Sequence, residues 1–146
     1  MAHYHVFIVK NTNLIGTVQP PQPQLLQQKN TIIIADDDKP ILEVLKMILE
    51  MHNYDVLTVE DGNLFPSLIA IQPKLVFLDI NMSGVNGGEI CRRLKATEAT
   101  KDIPVIMISA NYDIREVTKD SGADDYLAKP FELHDLLSKV KKYLLN

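Results

Sequence analysis

The sequence predicts an α/β domain built on a doubly wound, five-stranded parallel sheet. Short apolar runs of four or five residues alternate with amphipathic segments, which is typical of buried parallel strands joined by helices. Three of these runs lead directly into the charged residues Asp36, Asp79 and Lys129. Because the ligand crevice of such a sheet lies at the carboxyl ends of its strands, we expect these residues to meet at one rim.

Each predicted strand is an apolar run bounded mainly by charged, glycine or proline residues. The five runs are Thr31–Ala35, Asp55–Val59, Leu75–Leu78, Val105–Ile108 and Asp125–Ala128. The helices are marked by apolar residues that recur at intervals of three and four. They are expected from about Lys39, over Asn63–Ile71, over Glu89–Ala96, over about Asp113–Lys119 and from about Glu132 to Leu145. Right-handed crossovers between the strands then favour a three-layer sandwich.

Local signals support several helix ends. Asp38 can cap the first helix, and Pro40 suits a position inside its first turn. Gly122 is placed to end the fourth helix. The third helix carries Cys91, which is expected in the core.

Composition excludes several classes of protein. A chain of 146 residues allows one domain of ordinary size, and its apolar runs are far shorter than the ~20 residues that span a bilayer. The net charge of −4 argues against a nucleic-acid surface, which needs a basic stripe. A single cysteine excludes an internal disulfide, and the N-terminus lacks the features of a signal peptide. We therefore expect a cytoplasmic protein that binds neither nucleic acid nor a membrane.

Residues 1–30 differ from the rest of the chain. The stretch from Val18 to Gln28 holds three prolines and five glutamines, a composition that cannot bury a core. We expect this segment to be a tail or linker and residues 31–146 to form the folded domain. Only Asn146 follows the last predicted helix, so no output domain is expected within this chain.

Three acidic residues are expected to lie within a few ångströms of one another at the rim. Each like-charge pair among Asp36, Asp37 and Asp79 at ~4 Å would cost about 4 kcal/mol at an effective dielectric constant of about 20. Mg²⁺ removes such repulsion and suits a site with few carboxylates and room for a phosphoryl group. Lys129 adds a positive charge for phosphoryl oxygens, and Ser109 adds a hydroxyl donor. The cluster therefore indicates acyl-phosphate chemistry.

These residues belong to an ordered set of motifs that resembles the receiver domain of two-component response regulators, the chemotaxis regulators among them. The resemblance extends from Thr31 to about Leu145. It rests on an acidic pair after the first strand, an aspartate after the third, a hydroxyl after the fourth, and an aromatic residue followed by Lys-Pro at the fifth. In this chain they are Asp36-Asp37, Asp79, Ser109, and Tyr126 with Lys129-Pro130. The resemblance implies the strand order 2-1-3-4-5.

The resemblance also implies roles for the site residues. Asp79 would be the phosphoacceptor and would take its phosphoryl group from a phosphohistidine. Asp37, Asp79 and the backbone carbonyl of Asn81 would bind Mg²⁺, and Asp36 would act mainly through a bound water. The protein would be a signalling module that catalyses its own phosphorylation and dephosphorylation, not a turnover enzyme.

Further roles concern the phosphorylated state. Lys129 and Ser109 would hold the phosphoryl oxygens, and the peptide after Lys129 would be cis. Ser109 would move toward the phosphoryl group while Tyr126 swings inward, which changes the face formed by the fourth helix, fifth strand and fifth helix. The resemblance also implies that Asn81 and Asn111 would occupy the positions that gate water beside the phosphoryl group. Both are neutral and of modest size, so a short-lived phosphorylated form is expected.

The implied partners are a histidine kinase or histidine phosphotransfer protein and a downstream effector protein. A homodimer through the fourth helix, fifth strand and fifth helix is a further expectation on phosphorylation. The charge pairs expected across it are Arg115 with Asp135, Asp120 with Lys141, and Asp124 or Asp125 with Lys139. The alternative is that such pairs form within one chain.

Two features depart from the family pattern. Ser83 stands where a proline commonly follows Met82, which would loosen the loop after the acceptor. The stretch from Ser109 to Asp124 is shorter than in regulators of the winged-helix type, so the fourth helix is expected to be short.

Two other protein families also carry phosphate-handling residues directly after a strand. A haloacid-dehalogenase-like phosphatase also phosphorylates an aspartate, but it needs an acid two residues later, where this chain has Asn81. A flavodoxin-like FMN carrier needs a loop that cradles phosphate, which the acidic run Asp36-Asp37-Asp38 would repel. Both alternatives are less well supported than the receiver domain.

Overall fold

Five parallel strands and five helices alternate along the chain in the computed structural model, which describes residues 30–61, 64–82 and 84–145. The strands are β1 (Thr31–Ala35), β2 (Asp55–Val59), β3 (Leu75–Asp79), β4 (Val105–Ser109) and β5 (Asp125–Ala128). The helices are α1 (Lys39–Met51), α2 (Leu64–Ile71), α3 (Gly87–Ala96), α4 (Ile114–Ser121) and α5 (Leu133–Leu144). The predictions for residues 1–29, Gly62–Asn63, Ser83 and Asn146 lie outside the described residues.

The strands form one sheet in the order β2-β1-β3-β4-β5. This confirms the predicted order 2-1-3-4-5 and the doubly wound fold. The register aligns Ala35 with Leu78, Asp79 with Ile108, and Ser109 with Ala128. The strands therefore end almost level with one another, so the residues at their carboxyl ends share one rim.

Two apolar layers cover the sheet. Alternate residues of a strand point to opposite faces, and in β1 Ile32 and Ile34 pack with α1 and α5 while Ile33 packs with α2, α3 and α4. Because both faces are covered, every residue of β3 and β4 is buried. Cys91 lies in the α2–α4 layer as predicted, and burial raises the pKa of its thiol.

The predicted caps are confirmed at two helices. Asp38 accepts a hydrogen bond from the backbone N–H of Ile41 at 3.3 Å, and Pro40 lies in the first turn of α1. Gly122 follows α4 in the left-handed conformation at φ 78°. The helix itself ends at Ser121, two residues beyond the predicted Lys119.

The start of α3 was predicted wrongly. The helix begins at Gly87 rather than Glu89, because the side-chain oxygen of Asn86 accepts hydrogen bonds from the N–H groups of Gly88 and Glu89 at 2.8 and 3.4 Å. A small antiparallel hairpin, Asn81–Met82 with Val85–Asn86, joins β3 to this helix. Strands of two residues carry no detectable periodicity, so the hairpin was not predicted.

None of the helices in the described ranges is both long enough and apolar enough to cross a membrane.

Candidate functional site

The sheet brings the predicted site residues to one rim. Asp36 directly follows β1, Asp79 is the last residue of β3, and Ser109 is the last residue of β4. Lys129 directly follows β5, and its peptide bond with Pro130 is cis. The predicted convergence of charged and polar side chains at the carboxyl ends of the strands is therefore present.

Three carboxylates form a tight cluster at this rim. Asp36, Asp37 and Asp79 each offer one carboxylate oxygen, and these oxygens lie within 4.8 Å of one another. Asp36 and Asp79 are buried, whereas Asp37 is exposed. Carboxylate oxygens are the ligands that Mg²⁺ prefers, and an exposed side leaves room for water or a phosphoryl group. The donor set therefore fits a magnesium ion.

Lys129 compensates part of this negative charge. Its Nζ lies 2.7 Å from Oδ2 of Asp36 and 3.9 Å from Oδ2 of Asp79. The other carboxylate oxygen of Asp36 accepts a hydrogen bond from the backbone N–H of Asp38 at 3.0 Å. Asp36 is thus held by a cation and a backbone donor, and the same cation lies within ion-pair distance of Asp79.

The buried carboxyl group of Asp79 has a raised pKa. Its pKa is raised from 3.8 to about 6, mainly by burial and next by the negative charge of Asp36. The Lys129 ammonium and a hydrogen bond from the backbone N–H of Asn81, at 3.3 Å, act in the opposite direction. At neutral pH the side chain is therefore mostly a carboxylate in a poorly solvated position, which is the form that can act as a nucleophile.

Ser109 and the two predicted asparagines differ in burial and in hydrogen bonding. The buried hydroxyl of Ser109 accepts a hydrogen bond from the backbone N–H of Asn111 at 3.0 Å, and the Ser109 carbonyl accepts one from the N–H of Lys129 at 2.8 Å. Asn111 is exposed. Asn81 is also exposed and pairs with Asn86 in the hairpin after β3.

Tyr126 lies between cationic side chains from two helices. Its hydroxyl accepts a hydrogen bond from Nε of Arg115 in α4 at 3.2 Å, and the guanidinium carbon lies 5.9 Å from the ring centroid. Nζ of Lys139 in α5 lies 5.8 Å from the same centroid and 2.8 Å from Oδ1 of Asp125. The sequence offered no signal for the Arg115–Tyr126 contact, because the two residues are brought together only by packing of α4 against β5.

Two of the acids expected in charge pairs across a dimer have partners within the chain. Asp125 pairs with Lys139 and, at 3.3 Å, with Lys142. Asp124 pairs with Lys95 at 2.7 Å and also accepts a hydrogen bond from the N–H of Val105. Lys139 thus has an acidic partner within the chain.

An apolar groove beside the site was not predicted. It has a volume of about 740 Å³ and runs between α1 and the segment from β5 to α5, with Lys129 among its lining residues. Val44 and Leu133 line it while remaining 50% and 47% exposed. The apolar residue Val44 was the available signal of this surface in the sequence of α1.

Comparison with known proteins identifies the family. The family profile "Response regulator receiver domain" matches residues 32–141. The regulator RpaA of Synechocystis is 41% identical over 116 residues, which are 77% of this chain and 48% of RpaA. The phosphate regulon regulator PhoB of Pseudomonas aeruginosa is 39% identical over 117 residues, which are 78% of this chain and 51% of PhoB. The chain thus spans about half the length of these curated relatives.

Solved structures show the same fold. A putative response regulator from Chloroflexus aurantiacus has a TM-score of 0.76 and 29% identity, covering 81% of this chain and 99% of its own. TrrA from Thermotoga maritima, solved in complex with Mg²⁺-BeF, has a TM-score of 0.71 and 31% identity. The match covers 79% of this chain and 99% of TrrA. The receiver domain of the sensor kinase PA1611 from P. aeruginosa, with a coordinated magnesium ion, has a TM-score of 0.74 and 25% identity, covering 81% and 99%. The fold, the rim and the matched profile together show that this chain belongs to the response regulator receiver domain family, the signalling modules of two-component systems.

Proposed function

We propose that the chain accepts a phosphoryl group on Asp79 from the phosphohistidine of a histidine kinase or a histidine phosphotransfer protein. The observation that carries the proposal is the position of Asp79. It is buried at the rim, its carboxylate lies beside those of Asp36 and Asp37, and Lys129 is 3.9 Å away. This arrangement supports nucleophilic attack by a carboxylate within a site that offsets phosphoryl charge.

Mg²⁺ is the cofactor that the carboxylate cluster would hold. Asp37, Asp79 and the carbonyl of Asn81 would be its direct ligands, and Asp36 would act through a bound water. When bound, the ion neutralises charge on the phosphoryl oxygens and the carboxylates. Mg²⁺ in the relatives TrrA and the PA1611 receiver domain supports the assignment.

The transfer itself exchanges one bond to phosphorus for another. A carboxylate oxygen of Asp79 attacks the phosphorus, the bond from phosphorus to the donor's imidazole nitrogen breaks, and the imidazole leaves with the electron pair. Lys129 and Ser109 orient the phosphoryl oxygens, the lysine by its charge and the serine by its hydroxyl proton. Lys129 can do so by releasing Asp36, to which it is bonded in this structure.

Phosphorylation would then change the face formed by α4, β5 and α5. When the Ser109 hydroxyl turns to the phosphoryl group, it gives up its hydrogen bond from Asn111. Tyr126 would move inward, and this motion would break its hydrogen bond with Arg115. The released Arg115 would become available to an effector protein or to a second copy of the chain.

The apolar groove between α1 and α5 is proposed as the docking surface of the donor protein. Lys129 is one of its lining residues and lies 3.9 Å from Asp79, so a partner seated there could bring its phosphohistidine to Asp79. Val44 and Leu133 are half exposed on its edges and would be covered by such a partner. Val44→Glu should slow transfer from a phosphohistidine protein by roughly tenfold. The rate with acetyl phosphate should be unchanged.

Met51→Glu is the matched control for the groove. Met51 is 75% exposed at the far end of the same helix and does not line the groove. Its substitution should alter neither rate. Equal transfer rates for both variants would reject the groove as the docking surface.

The proposed phosphotransfer function is tested by acetyl phosphate labelling with Mg²⁺ and with EDTA. Intact mass should increase by one phosphoryl group in Mg²⁺ and remain unchanged in EDTA. Labelling that does not require the metal would contradict the proposed site.

A further inference from the structure

Gly87 of α3 packs directly against the backbone of the proposed acceptor. It is the first residue of the helix, it is buried, and its φ lies outside the left-handed region. A Cβ at this position would overlap the carbonyl oxygen of Asp79 and lie 3.0 Å from both the Asp79 carbonyl carbon and the Ile80 Cα. Glycine is therefore required here by space and not by backbone conformation.

A hydrogen bond adds to this close approach. The N–H of Gly87 donates to the carbonyl oxygen of Ile80 at 2.8 Å. On the other side of the chain, the N–H of Ile80 donates to the carbonyl of Ile108 in β4 at 3.1 Å. The two peptides that follow Asp79 are thus held between the first turn of α3 and the end of β4.

We infer that Gly87 is a positioning residue for the phosphorylation site, an inference that rests on the proposed function. Its lack of a side chain lets α3 contact the backbone of Asp79, which fixes the direction in which the acceptor carboxylate leaves the strand. Its bond to Ile80 fixes the next peptide and therefore Asn81, whose carbonyl is the proposed metal ligand. One glycine thus orients two of the proposed direct ligands of Mg²⁺.

A role in packing alone would give a different result on substitution. If Gly87 only fills space, Gly87→Ala should lower stability and leave Mg²⁺ binding by the folded protein unchanged. If it positions the ligands, the folded protein should bind Mg²⁺ more weakly, because a displaced peptide moves both ligands.

Gly88→Ala provides a matched control. Gly88 is the next residue of the same helix and is also buried. A Cβ there would meet side-chain atoms, Oδ1 of Asn86 at 3.1 Å and Cγ1 of Val117 at 3.3 Å, instead of backbone. Side chains can give by a few tenths of an ångström, so this variant should retain the geometry of Asp79.

The experiment is an NMR titration of the full chain with Mg²⁺, compared with acetyl phosphate labelling of the same samples. The half-saturating Mg²⁺ concentration should rise by roughly tenfold or more in Gly87→Ala. It should stay within about twofold of the wild type in Gly88→Ala, and labelling should fall only in Gly87→Ala. Equal Mg²⁺ affinity in all three proteins would overturn the role of Gly87 without affecting the proposed function.

A second measurement covers the case in which Gly87→Ala does not fold. In the wild type, scalar coupling across the hydrogen bond from Gly87 N–H to the Ile80 carbonyl should persist after addition of Mg²⁺ and beryllofluoride. Loss of that coupling would mean that the contact opens in the loaded site, which overturns the inference. A wild type that binds no Mg²⁺ would overturn the proposed function together with this role.

Discussion

Lys129 lies closer to Asp36 than to Asp79, with its Nζ 2.7 Å from Oδ2 of the former and 3.9 Å from Oδ2 of the latter. The lysine therefore forms its direct hydrogen bond with Asp36 and exerts a weaker attraction on Asp79. Burial and the neighbouring Asp36 charge prevail at Asp79, so its pKa is raised. In the absence of metal, ionised Asp79 is thus a source of instability in the folded protein.

This relationship predicts how stability depends on pH in EDTA. The pKa of Asp79 rises from 3.8 to about 6 on folding, so the folded protein binds the proton more tightly and loses stability as pH rises through this window. Asp79→Asn lacks this charge and should be more stable than the wild type above pH ~6, by at most about 3 kcal/mol. Urea unfolding from pH 4 to pH 8 measures the difference. An equal stability difference between the two proteins at pH 4 and at pH 8 would show that the charge of Asp79 does not cause it.

The adjacent acids Asp37 and Asp38 should respond oppositely to substitution. Asp37→Ala removes a proposed Mg²⁺ ligand, so most of the thermal shift caused by Mg²⁺ should disappear. In EDTA the variant should be at least as stable as the wild type, because one negative charge leaves the cluster.

Asp38→Ala is the control, since Asp38 caps α1. This variant should lose about 1 kcal/mol of unfolding free energy with or without Mg²⁺. It should retain the thermal shift caused by Mg²⁺. Thermal melts in both conditions measure the two variants. An undiminished metal-induced shift in Asp37→Ala would refute its role as a ligand.

A homodimer should form on addition of beryllofluoride and Mg²⁺. We expect Arg115, freed from Tyr126, to pair with Asp135 of the second copy. Arg115→Asp should therefore keep the chain monomeric, and adding Asp135→Arg should restore the dimer by reversing the pair. Lys119→Asp makes the same charge change at another exposed position of α4 and should have little effect. Light scattering measures the mass of each protein in solution. A wild type that stays monomeric at high concentration with beryllofluoride and Mg²⁺ would reject the dimer.

The lifetime of the phosphorylated form should depend on Asn81. This exposed side chain is too small to block an attacking water, so Asn81→Lys should slow phosphate loss severalfold by adding bulk and a charge beside the phosphoryl group. Ala99→Lys adds the same charge at an exposed position in the loop before β4 and should leave the rate unchanged. A phosphate-release time course compares the three proteins. Indistinguishable decay in Asn81→Lys would remove the gating role and leave the phosphoacceptor assignment untouched.

The sequence was most informative where a charged residue directly follows an apolar run. The site could be predicted because Asp36, Asp79 and Lys129 each follow a strand, and the topology of a parallel sheet brings strand ends together. The family match also decides against the phosphatase and flavodoxin alternatives. The hairpin after β3 was missed because two-residue strands have no periodicity, and the cap at Asn86 shifted the start of α3.

Contacts between elements distant in sequence were beyond prediction. Lys129 pairs with Asp36 rather than Asp79 because of the relative positions of β1, β3 and β5. No residue pattern specifies those positions to within an ångström. The Arg115–Tyr126 bond and the closeness of Gly87 to Asp79 likewise follow from helix packing on the sheet. The charges of Asp125 and Lys139 were recognised, but their pairing within the chain was only one of two alternatives.

The assignment of Asp79 as the phosphoacceptor is best tested by mapping the phosphoryl group. The wild type and Asp79→Asn are incubated with acetyl phosphate and Mg²⁺, reduced with borohydride to trap the acyl phosphate, and digested for peptide mass spectrometry. We expect the reduced residue to be Asp79 in the wild type and the variant to carry no label. A label on another residue, or equal labelling of Asp79→Asn, would contradict it.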